Sequence, residues 1–209
     1  MKKSIRIAFI IDMQHDFIAD DGTLQVEGAK SALKNIIQRL KTVDYDGICF
    51  TTDQHPFEHC SFIENGGKWP MHCVEYTKGA SIPMELIEAA YKNKAVRCVK
   101  VICKGTKKDK DEYSFFKNIM ATYDWSVFKD VMRDVFFERY KDGRYFEFLR
   151  DRVIDIMGVA GDVCVLDTVK DFVDEKYKDN IVVINDCIAS LDGGTALKEY
   201  CAENQIKTE

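Results

Sequence analysis

The 209-residue chain carries a formal net charge of -5 and has a sequence pI near 5.5. This acidic balance argues against a basic surface for nucleic acid or for an anionic membrane, so we expect neither as a partner. With 46% hydrophobic and 31% charged residues, the composition predicts one globular domain over residues 1–209. No apolar stretch approaches the roughly 20 residues that cross a bilayer.

Apolar runs and amphipathic segments alternate along the chain. Residues 5–11 are almost continuously apolar, which is typical of a parallel strand buried on both faces. In chain order, such patterns predict a strand at 5–11, a helix at 28–43, a strand at 47–52, a helix at 84–92, strands at 96–103 and 153–157, a helix at 163–176, a strand at 180–185, a helix at 195–203 and a short edge strand around Ile206. The alternation predicts a three-layer α/β/α fold of Rossmann-like type with a mainly parallel sheet of about six strands.

The segment 105–152 is the least regular part of the sequence. It begins as a charged loop and continues into an aromatic-rich amphipathic run. We predict helices at 125–140 and 145–152, which form a helical insert within the domain and pack over the sheet.

A histidine-rich segment, residues 52–73, contains three of the four histidines in the chain. Asp53 follows a predicted strand and precedes His55 by two positions, so both side chains can point the same way on extended backbone. His72 can return to them across a Gly-Gly bend. One carboxylate and two imidazoles suit Zn, Fe or Mn with coordination positions left open. An Asp-x-His pair alone is a weak signal, but the clustering predicts a divalent metal site.

Two other residues of this segment leave alternatives open. Glu64 is a candidate fourth metal ligand, and His59 is an alternative to it. Either side chain could equally be a partner that orients a ligating imidazole.

Polar or reactive residues follow four of the predicted strands. The first three strands lead into Asp12, Asp53 and Lys104, and Cys164 follows the fourth after a Gly-Val-Ala-Gly turn. Ligands of parallel sheets bind beyond the carboxyl ends of the strands, so we expect these side chains to meet in one crevice. A helix start and a nearby ammonium favour a Cys164 thiolate, with Asp12 as acid and base. Taken singly, each has an ordinary interpretation as a buried thiol, a solvated lysine or a capping carboxylate.

Five motifs carry a family resemblance. They are Asp-x-Gln-x-Asp-Phe at 12–17, Asp-x-His-Pro-x-x-His-x-Ser-Phe at 53–62, Trp-Pro-x-His-Cys at 69–73, Lys-Gly-Thr at 104–106 and Gly-Val-Ala-x-Asp-x-Cys-Val at 158–165. The chain resembles the nicotinamidase/pyrazinamidase family of the isochorismatase-like cysteine hydrolase superfamily. The motifs span most of the chain in the order of that family, and the metal loop marks nicotinamidases among branches that hydrolyse isochorismate or carbamoyl compounds.

The resemblance implies a role for each matching residue. By similarity, the catalytic triad comprises Asp12, Lys104 and Cys164, the metal ligands comprise Asp53, His55, His72 and the less supported Glu64, and the substrate-binding residues comprise Phe17, Trp69 and Ala160. Phe17 and Trp69 would sandwich a nicotinamide ring whose pyridine nitrogen coordinates the metal. The N–H groups of Ala160 and Cys164 would form an oxyanion hole beside a cis peptide bond between Val159 and Ala160.

The implied activity is metal-dependent hydrolysis of nicotinamide to nicotinic acid and ammonia through a cysteine thioester, a step of NAD salvage and pyridine nucleotide biosynthesis. The implied cofactor is one divalent ion, Zn first, with Fe or Mn as alternatives. The competing interpretations are an amidase of the same superfamily for another carboxamide or ureido compound, and an inactive binding relative. Gly161 and Val163 stand where the family more often has Thr and an aromatic residue or His, which bears on the substrate.

Cellular location and assembly rest on less specific features. Eight cysteines without a C-x-x-C pair or a secretory signal are interpreted as reduced thiols, which predicts a cytoplasmic protein. The insert at 105–152 would either narrow the pocket or build a homo-oligomer contact.

Overall fold

The computed structural model describes residues 5–115 and 152–209. Its sheet has six strands in the order β3-β2-β1-β4-β5-β6, and every neighbouring pair is parallel. The strands are β1 (Ile5–Ile11), β2 (Gly47–Asp53), β3 (Cys98–Lys104), β4 (Arg152–Gly158), β5 (Ile181–Ile188) and β6 (Lys207–Thr208). The predicted fold class is therefore confirmed, and the sheet is parallel throughout.

Five α-helices lie in the described part of the chain. They are α1 (His15–Ile18), α2 (Ala29–Thr42), α3 (Met84–Tyr91), α4 (Leu166–Asp174) and α5 (Thr195–Glu203). Short 3-10 turns occupy Ile63–Asn65 and Lys178–Asn180, and a π-helical turn, Gly161–Val165, leads into α4. The prediction missed α1, and it treated the π-helical turn as the first part of an ordinary α-helix.

The side chains of β1 alternate between two apolar layers. Ile7, Phe9 and Ile11 face the layer that includes residues of α4 and α5, whereas Ala8 and Ile10 face the layer formed with α2 and α3. All five are at most 1% exposed. Burial of a large apolar side chain contributes about 1.5–3 kcal/mol, so a strand with apolar side chains on both faces is stabilised from both sides. This burial explains why the sequence of the strand is almost continuously apolar.

The strand register brings the carboxyl ends of four strands to the same edge. Asp53 pairs with Lys104 across β2 and β3, and Ile11 pairs with Gly158 across β1 and β4. The strand order reverses direction at β1 and β4, which is where parallel sheets of this type open a crevice. Asp12 follows β1 directly, so it lies beside that crevice.

Part of the predicted insert lies outside the described residues. The helices predicted at 125–140 and 145–152 cannot be compared with the structure, apart from Arg152, which begins β4. The described portion, residues 105–115, is a loop. One domain over 1–209 with a helical insert at 105–152 stays a prediction. Among the described residues, every helix is too short or too polar to cross a membrane.

Candidate active site

A buried lysine joins the strand ends. Lys104 Nζ lies 2.9 Å from Asp12 Oδ2, 2.5 Å from Asp53 Oδ1 and 3.5 Å from Cys164 Sγ. Lys104 is 3% exposed and Asp12 is completely buried. The structure therefore brings together the three residues predicted to act as acid/base, charge stabiliser and nucleophile, and it adds Asp53 to the same cluster.

The charges of this cluster follow from its burial. Burial by itself would lower the pKa of Lys104, but Asp12 and Asp53 outweigh burial, and the pKa lies well above its usual value. Burial likewise opposes ionisation of Asp53, yet Lys104 and His55 hold the pKa of Asp53 below its ordinary range. For Asp12, burial prevails with help from Asp53, so the pKa of Asp12 is raised. The Lys104 ammonium thus contacts two carboxyl groups whose pKa values are shifted in opposite directions.

The environment of Cys164 differs from the prediction. We expected the helix start and Lys104 to favour a thiolate. Instead, burial, together with Asp12 and Asp53, raises the pKa of Cys164 well above its usual value, although Lys104 opposes this. Burial and the two neighbouring carboxyl groups therefore favour the thiol form of Cys164, because they outweigh one ammonium.

Asp12 is held in an uncommon backbone conformation. Its φ of 49° lies in the left-handed region. Thr51 forms hydrogen bonds with both the side chain and the backbone N–H of Asp12. Thr51 Oγ1 donates to Asp12 Oδ1 at 2.8 Å, and the Asp12 N–H donates to the Thr51 carbonyl at 3.1 Å. Within the described part of the chain, Asp12 Oδ2 has no hydrogen bond of good geometry, although the Lys104 ammonium lies 2.9 Å away. This oxygen is the one that remains available for a proton.

The predicted metal ligands converge beside the lysine. One donor atom from each of Asp53, His55 and His72 lies within 4.8 Å of the others, and all three residues are buried. His55 Nδ1 donates to the Gly105 carbonyl at 2.9 Å, and His72 Nδ1 donates to the Pro70 carbonyl at 2.7 Å. A carbonyl only accepts, so both imidazoles keep Nε2 for a metal. Backbone carbonyls on the second nitrogen are typical partners of metal-binding histidines, and the donor set fits a divalent ion.

Gln14, which sequence reasoning left without a role, anchors one ligand. The Asp53 N–H donates to Gln14 Oε1 at 2.7 Å, and Gln14 Nε2 donates to the Asp53 carbonyl at 2.8 Å. Gln14 is fully buried. The signal in the sequence was the Asp-x-Gln-x-Asp-Phe motif at 12–17, which contains Gln14.

The two open candidates do not join the three ligands. Glu64 is exposed in the turn Ile63–Asn65. Among the described residues two groups of donor atoms converge, Asp53/His55/His72 and Asp12/Asp53/Cys164, and Glu64 belongs to neither. His59 uses both ring nitrogens: Nε2 donates to the Lys110 carbonyl at 3.0 Å, so Nδ1 accepts from Ser61 Oγ at 2.7 Å. Its ring stacks on His55 with centroids 4.1 Å apart. Glu64 as a ligand is thus not supported, and His59 packs against a ligand instead.

A pocket opens over the cluster and the three ligands. The three predicted substrate-binding residues, Phe17, Trp69 and Ala160, line it together with Cys164. The peptide bond between Val159 and Ala160 is cis, as the resemblance implied. Within the described residues, the pocket also has walls that the sequence did not predict, chiefly Leu24, Val26, Glu112, Tyr113, Val163 and Leu191.

Tyr113 belongs to this pocket through a direct contact with Trp69. Trp69 Nε1 donates to Tyr113 Oη at 3.2 Å, and Tyr113 donates onward to Asp111 Oδ2 at 2.6 Å. Lys68 Nζ lies 4.9 Å from the centre of the Trp69 ring and 5.2 Å from that of Tyr113. Tyr113 therefore fixes the orientation of the indole that forms one wall.

No protein-family model matches the chain. The chain is similar to the nicotinamidase of Saccharomyces cerevisiae, with 25% identity over 205 residues that cover 86% of each protein. It superposes on the PnC1 protein of L. infantum in complex with nicotinate with a TM-score of 0.75 and 25% identity, covering 99% of this chain and 92% of the other. The pyrazinamidase of Pyrococcus horikoshii in complex with zinc gives a TM-score of 0.67 and 25% identity over 98% of both chains.

These comparisons agree with the motifs and with the placement of the strand-end residues. The sequence similarity extends over most of the chain, and the structural similarity extends over nearly all of it. The resemblance predicted from the motifs is thereby confirmed: in sequence and in fold the chain is similar to nicotinamidases, and it shares the fold of an isochorismatase-like hydrolase.

Proposed function

We propose that the chain hydrolyses nicotinamide to nicotinic acid and ammonia, with Cys164 as the nucleophile. The observation that carries this proposal is the contact of Lys104 Nζ with Asp12, Asp53 and Cys164, beside a pocket that Cys164 and the three candidate metal ligands line. The similarity to nicotinamidases supports the choice of substrate. The reaction would serve NAD salvage, and pyrazinamide is a related carboxamide for the same site.

The raised pKa values of Asp12 and Cys164 suit a proton transfer between them. Cys164 is a thiol at rest, and Asp12 is a base whose pKa is shifted upward by burial. On attack, the Cys164 proton passes to Asp12 as the Cys164 sulfur bonds to the carboxamide carbon. Asp12 then gives that proton to the leaving ammonia, and a thioester on Cys164 remains. Water then loses a proton to Asp12 and attacks the thioester carbon. The C–S bond breaks, nicotinic acid leaves, and Asp12 returns the proton to the Cys164 sulfur.

Negative charge develops on the carboxamide oxygen during attack, and hydrogen-bond donors near the start of the π-helical turn would stabilise it. We assign this role to the backbone N–H groups of Ala160 and Cys164. A well-aimed donor of this kind contributes about 3–4 kcal/mol to the stability of the tetrahedral intermediate. Lys104 keeps its proton throughout, because two carboxylates hold its pKa far above neutrality.

Asp53, His55 and His72 would hold one divalent ion, and zinc is our first choice because one carboxylate and two imidazoles suit it. The zinc in the related pyrazinamidase supports this choice. When bound, the ion would supply a Lewis acid that holds and polarises the pyridine ring. Phe17 and Trp69 both line the pocket and would enclose that ring. The cytoplasmic location and the homo-oligomer stay predictions.

The test is ammonia release from nicotinamide by the purified protein. We expect activity that a chelator abolishes and that added zinc restores. Cys164→Ala should remove turnover and keep one metal ion per chain, because the sulfur is not among the three ligands. The matched control is Cys201→Ala, which removes a buried thiol from α5 and should leave turnover in place.

Two results would contradict the proposal. Turnover by Cys164→Ala would exclude the thioester route. Release of ammonia from a ureido compound or another carboxamide, with none from nicotinamide, would transfer the same chemistry to a different substrate and favour the alternative amidase.

A further inference from the structure

The His55 imidazole packs against the backbone of Gly105. The φ of Gly105 is +62°, and a Cβ placed there would lie 2.3 Å from His55 Cε1 and 2.5 Å from His55 Nδ1. The ring therefore packs directly on the Gly105 backbone, and its Nδ1–H donates to the Gly105 carbonyl at 2.9 Å. The direction in which His55 Nε2 points is thus set by the orientation of the Gly105 peptide.

Glu112 holds Gly105 from the other end of the same loop. The Gly105 N–H donates to Glu112 Oε2 at 3.1 Å, and Glu112 Oε1 lies 2.8 Å from Lys110 Nζ. The Glu112 carbonyl accepts from Lys104 Nζ at 3.4 Å. Glu112 is only 8% exposed. Glu112 therefore contacts Lys104 through its backbone carbonyl and Gly105 through its side chain.

Glu112 lines the pocket beside the three candidate ligands, so direct metal binding is the competing role. Both of its carboxylate oxygens are already in contact with Gly105 and Lys110. Among the described residues, Glu112 is also absent from the converging donor atoms of the candidate metal site. Its contacts favour an indirect role, in which geometry matters more than charge.

We propose that Glu112 is a positioning residue that orients His55 for metal binding by holding the Gly105 peptide. The inference rests on the proposed function for the identity of the metal site. It predicts that the length of the side chain at position 112 matters and that its charge does not. Partners of this kind, one step away from a ligand, typically contribute 10- to 100-fold to metal affinity.

The experiment compares Glu112→Gln with Glu112→Asp. Gln keeps an oxygen at the same distance and loses the charge, so zinc affinity measured against a chromophoric chelator should stay within roughly threefold of the parent. Asp keeps the charge but withdraws the oxygen from the Gly105 N–H, so affinity should fall about 10- to 100-fold. Lys110→Met, which removes the ion pair of Glu112 and keeps the Glu112 side chain, is the control and should bind zinc like the parent.

A second measurement needs neither metal nor turnover. In metal-free protein labelled with 15N-histidine, the hydrogen-bonded Nδ1–H of His55 should be present in the parent and in Glu112→Gln and should exchange rapidly in Glu112→Asp. Equal loss of zinc in Gln and Asp would overturn the proposal in favour of direct ligation. An unchanged His55 Nδ1–H in Glu112→Asp would overturn it as well. Failure of nicotinamide turnover in the parent would leave the NMR comparison intact, so the two proposals fail separately.

Discussion

Removal of the Lys104 ammonium should expose how much the buried cluster depends on it. Lys104→Met keeps an unbranched apolar stem but leaves two carboxyl groups, Asp12 at 0% and Asp53 at 4% exposure, without their cation. Removing one partner of a buried ion pair costs about 3–5 kcal/mol. For a chain of this size, that loss lowers Tm by about 6–20 °C.

The pH dependence of this loss has a definite sign. In the metal-free parent, Lys104 and His55 overcome burial and hold the pKa of Asp53 below its usual value. A group with a lowered pKa stabilises the fold above its unfolded pKa, which is about 4 for Asp, and loses that contribution as the pH falls. Lys104→Met removes the largest charge that opposes burial, so the pKa values of both carboxyl groups should rise and the loss of stability should be largest at neutral pH. The difference from the parent should therefore shrink between pH 7 and about pH 4.

The assay is thermal unfolding of both proteins without metal across that pH range. Lys92→Met is the matched control, because Lys92 Nζ lies 2.7 Å from Glu88 Oε2 in an exposed pair on α3 and should contribute no measurable change in Tm. A Tm of Lys104→Met within about 2 °C of the parent at pH 7 would refute the reasoning. So would a deficit that stays constant as the pH falls, because protonation of Asp12 and Asp53 would then be unrelated to it.

Three further predictions concern single side chains of the site. In metal-free protein at pH 7, iodoacetamide should label the exposed Cys103 before Cys164, because burial raises the pKa of Cys164. Peptide mass spectrometry would show the order of labelling, and the reverse order would contradict this prediction. Tyr113→Phe leaves the Trp69 N–H without its acceptor and should raise KM for nicotinamide about fivefold with kcat nearly unchanged, whereas an equal fall in kcat would exclude a positioning role. His72→Ala should abolish stoichiometric zinc by elemental analysis, and retained zinc would show that another residue replaces it.

Local patterns predicted the regular elements well. The bounds of β1 and α5 agree with the structure, because a doubly buried strand and an amphipathic helix each leave their own period in the sequence. The predicted third strand, at 96–103, starts at Cys98 instead, because the Val96 N–H bonds to the Asn93 carbonyl in a turn. Boundaries of this kind depend on which backbone groups pair, and residue type alone does not determine them.

Sequence alone determined which residue types stand at the strand ends, and the parallel fold then required Asp12, Asp53 and Lys104 to share one edge. Only the tertiary structure decided among side chains that have the same chemistry. It left Glu64 in solvent, engaged both nitrogens of His59, and placed Glu112 against Gly105. It also raised the pKa of Cys164, where the sequence had led us to expect a lowered one, because a pKa depends on burial and on every charge within a few ångströms, and these distances exist only after the chain has folded.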